Sequence, residues 1–206
     1  MNDQLFEDMG LPVDHGDVSL KDLTAKKARI VRQTKTRTAL IDRAEGLTAW
    51  MGDGFPAPDE TLHVILDGGA DVWGFAEWAI SKAGTADELW ISTWIISDGI
   101  ARRIVNLLDS GVIDEFHIVT ALYFKIRAPH VYTYLMETLQ SRGFGYAAFK
   151  NHAKVLLVKN EKADMWLTVQ GSANLTKNPR SEQLVITNNQ EVYEFHRSWM
   201  QSMVDK

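Results

Sequence analysis

Beyond residue 58, short runs of β-branched residues alternate with stretches in which apolar residues recur at helical spacing. The runs predict strands near residues 62–66, 88–95 and 114–120. The stretches predict helices near residues 71–83, 98–109 and 129–142. Asp71 is expected to cap the first of these helices, and Gly111 to end the second. Such alternation is typical of βαβ units built on a parallel or mixed sheet.

After Gly143 the pattern of apolar residues changes and predicts short strands separated by brief loops. We expect a closing helix from about residue 190, after strands near residues 146–149, 155–158, 166–169 and 183–187. No internal repeat is visible in the sequence. The pattern therefore predicts an α/β fold in which helices flank both faces of a mixed β-sheet.

The first 55 residues differ in pattern from the rest of the chain. The first 20 are acidic and lack apolar periodicity, which is typical of a loose arm. From about Ser19 the pattern is helical, and its apolar face is formed by Leu40, Ala44, Leu47 and Met51. Glycine and proline residues over 52–58 interrupt it. We therefore expect an acidic arm and a basic helical extension over residues 1–55, and the main domain over residues 56–206.

Charge is distributed unevenly along the sequence. The chain carries a formal net charge of −5, yet residues 21–43 contain eight basic and two acidic residues, a local charge of +6. Such an excess favours a clamp on nucleic-acid phosphate, and a solvated helix face is the alternative. The expected contacts in this segment are Lys26, Lys27, Arg29, Arg32, Lys35 and Arg37.

Composition narrows the setting of the protein. The sequence has no cysteine, which excludes disulfides, thiolate metal sites and a cysteine nucleophile. The N-terminus is acidic where a secretory signal is basic, and no apolar run approaches the ~18 residues of a membrane helix. We therefore expect a cytoplasmic protein without stable membrane association.

Two segments in the C-terminal third carry polar side chains that we expect to meet. His152 and Lys154 enter an apolar strand two residues apart, so strand alternation directs both from the same face. A second strand runs into a glycine turn at Gly171, which brings Ser172 and Asn174 towards the same spot.

These residue types match what hydrolysis of a phosphodiester requires. His152 is the candidate nucleophile, and the candidate donors to the phosphate oxygens are Lys154, Ser172 and Asn174. Glu182, at the head of the next strand, is the candidate carboxylate that fixes the imidazole tautomer. Nothing in the sequence resembles a zinc-ligand set, so we expect neither a metal nor another cofactor.

Further contacts are expected in a loop after the third strand. Tyr123, Lys125 and Arg127 lie there and could contact a substrate backbone, and an ordinary solvated loop is the alternative. The seven tryptophans are expected mostly in the core, and the remaining histidines are expected to be structural.

One order of residues resembles a known family. His152-x-Lys154 is followed about 17 residues on by Gly171-Ser172-x-Asn174-x-Thr176 and then by Ser181-Glu182. This order resembles the phospholipase D superfamily, in particular its small bacterial endonuclease branch with one motif per chain. The likeness covers roughly residues 60–204 and implies a phospholipase D-like catalytic domain. It also implies that the histidine attacks phosphorus to form a phosphohistidine, that the lysine and asparagine hold the phosphoryl oxygens, and that no metal is used.

One position departs from the superfamily pattern, which has an aspartate five residues after the lysine. This chain has Lys159 there. Some single-motif nucleases of the superfamily lack the aspartate and rely on the downstream glutamate, which Glu182 matches. We therefore predict a nuclease that acts on DNA or RNA. A phospholipid hydrolase and a catalytically silent nucleic-acid-binding protein are the alternatives.

The chemistry also predicts a homodimer. One histidine attacks phosphorus and another protonates the leaving oxygen on the opposite side, so one imidazole cannot serve both positions in one step. The chain has a single His-x-Lys and a single Gly-Ser-x-Asn turn. A complete site therefore needs two chains, related by a twofold axis between the two copies of His152.

Overall fold

A computed structural model describes residues 35–41, 54–67, 71–177 and 180–206. The described residues form strands β1 (Lys35–Ile41), β2 (Glu60–Asp67), β3 (Ala86–Thr93), β4 (Ile113–Ala121), β5 (Gly145–Phe149), β6 (Val155–Asn160), β7 (Met165–Gly171) and β8 (Ser181–Asn188). They also form helices α1 (Trp73–Ala83), α2 (Asp98–Asp109), α3 (Leu122–Arg127), α4 (Pro129–Ser141) and α5 (Gln190–Val204). None of these helices is long and apolar enough to cross a membrane.

The strands join one mixed sheet in the order β1-β2-β8-β7-β6-β3-β4-β5. β1 and β2 are parallel neighbours, and so are β3, β4 and β5. The pairings in the middle of the sheet, from β2 through β8, β7 and β6 to β3, are antiparallel. A central group of antiparallel strands therefore lies between two parallel groups.

Alternate residues of the central strands fill two cores, one on each face of the sheet. On β3, Leu89 and Ile91 point into the larger core, which α1, α2 and α4 cover. Trp90 points into the smaller core, together with Tyr193 and Met200 of α5. Successive strand residues face opposite sides, so β3 is buried on both. The α/β fold predicted from the sequence, with helices on both faces of a mixed sheet, is confirmed.

Strand directions gather distant parts of the chain at one edge of the sheet, which we call the site edge. β2, β3, β4 and β7 end there, whereas β6 and β8 begin there. Val155, the first residue of β6, lies opposite Ser92 of β3 and Gln170 of β7. Leu66, near the end of β2, lies opposite Glu182 of β8. The topology thus explains how six segments meet.

Two helix ends follow the sequence prediction. The Asp71 carboxylate accepts a hydrogen bond from Gly74 N–H at 3.0 Å in the first turn of α1. Gly111 has a φ of +70° just beyond α2, and its N–H donates to the Leu108 carbonyl at 3.1 Å. Glycine adopts this left-handed conformation without the steric cost that a Cβ brings.

The helical prediction was wrong for the segment that forms β1. Thr36, Thr38 and Ile41 are β-branched, and the whole segment pairs in parallel with β2. A backbone ladder to a neighbouring strand overrides a weak helical spacing. Leu40 of the predicted apolar face lies in β1, and the rest of that face lies outside the described residues: Ala44, Leu47 and Met51. The acidic arm lies outside them too, and the division of the chain near residue 55 stays a prediction.

The predicted loop after β4 is the short helix α3. Phe124 is fully buried in the larger core, whereas Lys125 and Arg127 are exposed. A helix of fewer than two turns shows too few apolar positions to reveal a period in the sequence. The single buried side chain of Phe124 and the packing of α3 against α4 fix this helix.

Candidate active site

An extended segment leads into β6 at the site edge and carries two of the predicted site residues. Asn151 Nδ2 donates to Ser92 Oγ at 2.9 Å and to the Val119 carbonyl at 3.3 Å, and Asn151 Oδ1 accepts from Ala153 N–H at 3.0 Å. Ser92 Oγ donates to the Ala153 carbonyl at 3.0 Å. The backbone on both sides of His152 is therefore tied to β3 and β4. The sequence did not reveal Asn151 and Ser92, because their contact joins positions 59 residues apart.

His152 and Lys154 lie side by side, as strand alternation predicted. Lys154 Nζ lies 3.1 Å from His152 Nδ1 and 3.2 Å from Nε2, and it donates to the His152 carbonyl at 2.7 Å. The imidazole is exposed, whereas the lysine is half-buried. Burial lowers the pKa of Lys154, and the nearby Glu182 carboxylate opposes that shift. The exposed imidazole of His152 thus lies beside the amine of Lys154, which its own hydrogen bonds hold in place.

The end of β7 turns at Gly171, where a side chain has no room. A Cβ at this position would lie 2.0 Å from the Gln183 carbonyl oxygen, so the close approach of two backbones requires glycine. Ser172 N–H donates to the same carbonyl at 3.0 Å, and Ser172 Oγ accepts from Gln183 N–H at 3.0 Å. The Ser172 hydroxyl donates to the Glu182 carboxylate. The turn and β8 therefore hold Ser172 and Glu182 together.

The loop beyond this turn docks on the segment that follows β3. Asn174 Oδ1 accepts from Trp94 N–H at 3.2 Å, and the Leu175 carbonyl accepts from Ser97 N–H at 2.9 Å. The first bond uses the oxygen of the Asn174 amide and so orients its NH₂ group. Because Asn174 Nδ2 donates to no residue that the structure describes, this NH₂ group is the donor that remains for a ligand.

The negative charge of Glu182 favours the protonated form of Lys154 and so raises its pKa, and the Glu182 carboxylate accepts a hydrogen bond from Ser172. Within one chain, the described hydrogen bonds of the His152 ring nitrogens join them to Lys154. The role of Glu182 in fixing the imidazole tautomer therefore stays a prediction.

Lys159, which stands where the phospholipase D pattern has an aspartate, is remote from this cluster. It follows Lys154 by five residues, so it lies on the opposite face and near the far end of β6. Its ammonium is 2.6 Å from the Glu161 carboxylate and 4.8 Å from the centroid of the Trp166 ring. The presence of lysine at this position removes no group from the candidate site.

A buried carboxylate lies beside Lys159 on the neighbouring strand. Glu88 of β3 is opposite Lys159 in the ladder, and it accepts hydrogen bonds from Tyr193 Oη at 2.8 Å and from Arg197 Nη2 at 2.7 Å. Burial raises the pKa of Glu88, but the hydrogen bonds and charge of Arg197 and the bond from Tyr193 outweigh burial and lower it overall. These bonds attach α5 to the sheet.

Two aromatic rings follow one another beside His152. Tyr123 was a possible substrate contact in the sequence, whereas Trp94 was not assigned to the site. The Trp94 ring follows β3 directly, and its centroid is 5.7 Å from that of the imidazole with the planes at 62°. The Tyr123 ring of α3 stacks on Trp94, with centroids 4.6 Å apart and planes 3° from parallel. Tryptophans were expected mostly in the core, whereas Trp94 is only partly buried. Its position directly after a buried strand is the signal that could have identified it.

The predicted nucleic-acid contacts do not all lie near His152. Lys125 and Arg127 are exposed on α3, which follows β4 at the site edge. Lys35 begins β1 at the opposite edge, and its ammonium is 3.5 Å from the Asp59 carboxylate. Arg37 also lies in β1. The remaining predicted contacts lie outside the described residues: Lys26, Lys27, Arg29 and Arg32.

A groove of about 450 Å³ opens beside Lys154 on the side of the smaller core. Val155, Val185, His196 and Trp199 line it together with Lys154. Burial lowers the pKa of His196 to about 4, and Trp199 Nε1 donates to His196 Nδ1 at 3.2 Å. This imidazole is therefore neutral near pH 7, as suits the structural role predicted for it.

Comparison with known proteins reveals likenesses of fold. No protein-family model matches the sequence, and no curated protein does. Among solved structures, the chain is similar to Nuc, a phospholipase D family member from Salmonella typhimurium. The TM-score is 0.46 and the identity 18%, over 62% of this chain and 85% of that one.

Two larger proteins are also similar in structure. For the phosphatidylserine synthase of Haemophilus influenzae Rd KW20, the TM-score is 0.46 and the identity 14%, over 71% of this chain and 38% of that one. For the polyphosphate kinase of Porphyromonas gingivalis, the TM-score is 0.50 and the identity 11%, over 70% of this chain and 26% of that one. The chain thus spans well under half of either protein. At these identities the likeness concerns the fold alone, and one fold carries many activities.

Proposed function

We propose that this protein is a metal-independent phosphodiesterase, and more narrowly a nuclease that hydrolyses DNA or RNA. The observation that carries the proposal is the contact of Lys154 Nζ with both ring nitrogens of an exposed His152. Asn174 and the bonded pair of Ser172 and Glu182 belong to the same edge. A nucleophile beside fixed donors for developing negative charge is what attack on a phosphodiester requires. The motif resemblance to the phospholipase D superfamily supports the same interpretation.

In the proposed mechanism, one ring nitrogen of His152 attacks phosphorus. A P–N bond forms while the bond from phosphorus to the leaving oxygen breaks. Lys154 and Asn174 donate to the non-bridging oxygens, whose charge they stabilise in the transition state. A second imidazole protonates the leaving oxygen. Water then attacks the phosphohistidine, the second imidazole accepts its proton, and the phosphate product leaves His152 free.

We propose further that the second imidazole is His152 of another copy of the chain. The histidine that borders the groove beside Lys154 is unsuited to this task, because the pKa of His196 is about 4 and a general acid must carry a proton at neutral pH. The exposure of His152 leaves room for a second chain to approach. A twofold axis beside this residue then brings two equivalent imidazoles to one phosphate.

Purified protein is expected to cleave plasmid DNA or RNA at the same rate with and without excess EDTA. A chelator withdraws the metal ions on which metal-dependent nucleases rely, whereas it leaves an imidazole nucleophile unchanged. A gel assay on both nucleic acids measures the rate, with a fluorescent phospholipid as the comparison substrate. Cleavage that disappears in EDTA contradicts the proposed mechanism. Hydrolysis of the lipid without cleavage of nucleic acid contradicts the proposed substrate.

Mixing active and inactive chains is expected to reduce activity as the square of the active fraction. When one tenth of exchanging chains is wild-type and the rest carry His152→Ala, about 1% of the activity should remain, because both halves of a symmetric site are needed. Mixtures with His130→Ala, a change of an exposed histidine on α4, serve as the control. Retention of about one tenth of the activity, or an active monomer in sedimentation, would mean that each chain holds a complete site.

Neutralising basic residues before β1 is expected to weaken nucleic-acid binding and flatten its salt dependence. The variant changes Lys26, Lys27, Arg29 and Arg32 to glutamine and leaves β1 intact. If each side chain contacts a phosphate, the slope of log Kd against log salt should fall by about three to four, because fewer counterions are released. Fluorescence anisotropy over a range of salt concentrations measures this slope.

The control for this variant changes Lys82, Lys162 and Lys206 to glutamine, which lowers net charge elsewhere on the chain. It should alter the slope far less. An equal effect of both variants would indicate a response to net charge alone. An unchanged slope in the first variant would favour the solvated helix face.

A further inference from the structure

The stacked rings of Trp94 and Tyr123, which we call the aromatic pair, occupy an unusual place for such large side chains. Both rings are partly exposed, and the Trp94 ring contacts the exposed imidazole of His152. Most other aromatic contacts are edge-on, as for Phe124 and Tyr132 at 72°, and the stack of Trp90 on His117 involves a fully buried tryptophan. Burial of apolar surface therefore accounts poorly for a parallel stack at this edge.

The backbone on which each ring of the aromatic pair stands is anchored to the rest of the fold. The Trp94 backbone N–H donates to Asn174 Oδ1 at 3.2 Å, and the strand that precedes it ends in Thr93, which is almost fully buried. Tyr123 is fixed by its neighbour Phe124, whose side chain is fully buried. An anchored backbone and the mutual stack favour one arrangement of the rings before a substrate binds, which lowers the conformational entropy that stacking on them costs.

The Tyr123 ring is partly exposed. Trp94 covers one of its faces, and among the described residues no ring or cation is stacked on the opposite face, which we take as the face for a ligand. Arg127 is exposed four residues after Tyr123 on the same short helix, where it can pair with a backbone phosphate, whereas the Lys125 ammonium lies 5.6 Å from the centroid of the Tyr132 ring. A planar ring beside a cation is the combination that binds single-stranded nucleic acid, because every base has a face that can stack.

We propose that the aromatic pair stacks an unpaired base next to the scissile phosphate, and that the substrate is therefore single-stranded nucleic acid. This inference rests on the proposed nuclease function and narrows it. A base inside a duplex is already stacked on both faces and paired, so it must be unstacked before it can lie on Tyr123. Stacking without hydrogen bonds to base edges also gives little sequence preference.

The test compares single strands with and without bases. The substrates are a labelled single-stranded oligodeoxynucleotide, a strand of the same length in which the central residues are abasic, and the duplex form. Wild-type protein is expected to cleave the base-bearing single strand with the highest kcat/KM. Tyr123→Ala should lower kcat/KM for that strand by about 5- to 100-fold, mainly through KM, and should bring the ratio of base-bearing to abasic cleavage close to one.

Two further variants separate stacking from general damage to α3. Tyr123→Phe keeps the ring and should keep the ratio. Ile126→Ala removes an exposed apolar side chain, 37% accessible, from the same helix and should also keep it. A thermal unfolding measurement checks that each variant is folded. The proposal is overturned if Tyr123→Ala lowers cleavage of both single strands equally, if Tyr123→Phe loses the ratio, or if wild-type protein prefers the duplex.

Binding measured in the His152→Ala background distinguishes this inference from the nuclease proposal. Anisotropy should give weaker binding of the abasic strand than of the base-bearing strand, and adding Tyr123→Ala should remove the difference. If wild-type protein cleaves neither strand but this difference is found, the nuclease proposal fails and the stacking site stands. If cleavage is found without any difference in binding or rate, the stacking site fails and the nuclease proposal stands.

Discussion

Replacing His152 with alanine is expected to abolish phosphodiester hydrolysis and to leave the fold intact. The rate should fall by about 10⁴-fold or more, because the variant has no atom that can form the covalent bond to phosphorus. The imidazole is exposed and lies outside both cores, so its removal leaves no cavity. Steady-state kinetics measures the loss, and thermal unfolding tests the fold.

Several measurements make the His152 result specific. His130→Ala, which also removes an exposed imidazole, is the matched control and should hydrolyse at the wild-type rate. Wild-type reactions with ³²P-labelled substrate, quenched in alkaline detergent because the P–N bond to histidine is labile in acid, should contain a labelled chain that His152→Ala lacks. Hydrolysis by His152→Ala at the wild-type rate would remove the basis of the assigned chemistry.

Replacing Lys154 with alanine is expected to lower kcat by about 10²- to 10⁴-fold. The ammonium lies within 3.2 Å of both imidazole nitrogens, so it also adjoins any phosphoryl group that the imidazole attacks. Loss of one donor to a developing negative charge costs a factor of this size. Asn174→Ala should also lower kcat, because the Asn174 NH₂ group is the second proposed donor to the phosphoryl oxygens.

Lys159→Ala is the matched control for Lys154→Ala. Both changes remove one lysine from the start or end of the same strand, but Lys159 lies on the opposite face beside Glu161 and Trp166. Its removal should change the rate by less than about twofold, with at most a small effect on stability. Equal losses in the two variants would mean that charge on the strand, rather than contact with phosphate, governs the rate.

The elements that were predicted well are those whose pattern is local. Apolar residues spaced over a whole face indicated α2, and continuous β-branched runs indicated β3 and β4. The strand β1 was missed because its stability comes from pairing with β2, which no spacing within residues 35–41 reveals. The helix α3 was missed because one buried side chain, Phe124, holds it.

The same distinction between local pattern and tertiary contact applies to the residues of the candidate site. Strand alternation and a glycine turn were enough to predict that His152, Lys154, Ser172 and Asn174 lie close together, because each lies just before or just after a strand. The aromatic pair could not, since β3 and β4 must be neighbours before Trp94 and Tyr123 can meet. Asn151 also depends on tertiary structure, because its partners belong to other strands.

The position of Lys159 bears on how relatives of this chain can be recognised. A sequence pattern that requires aspartate at position 159 does not match this chain. The side chain on which that mismatch depends faces away from His152 and lies at the far end of the strand. The buried carboxylate in that neighbourhood is Glu88, which lies opposite Lys159 on the adjacent strand and binds Arg197 of α5. Searches that weight residues by the face they occupy would retain sequences that differ only at this remote position.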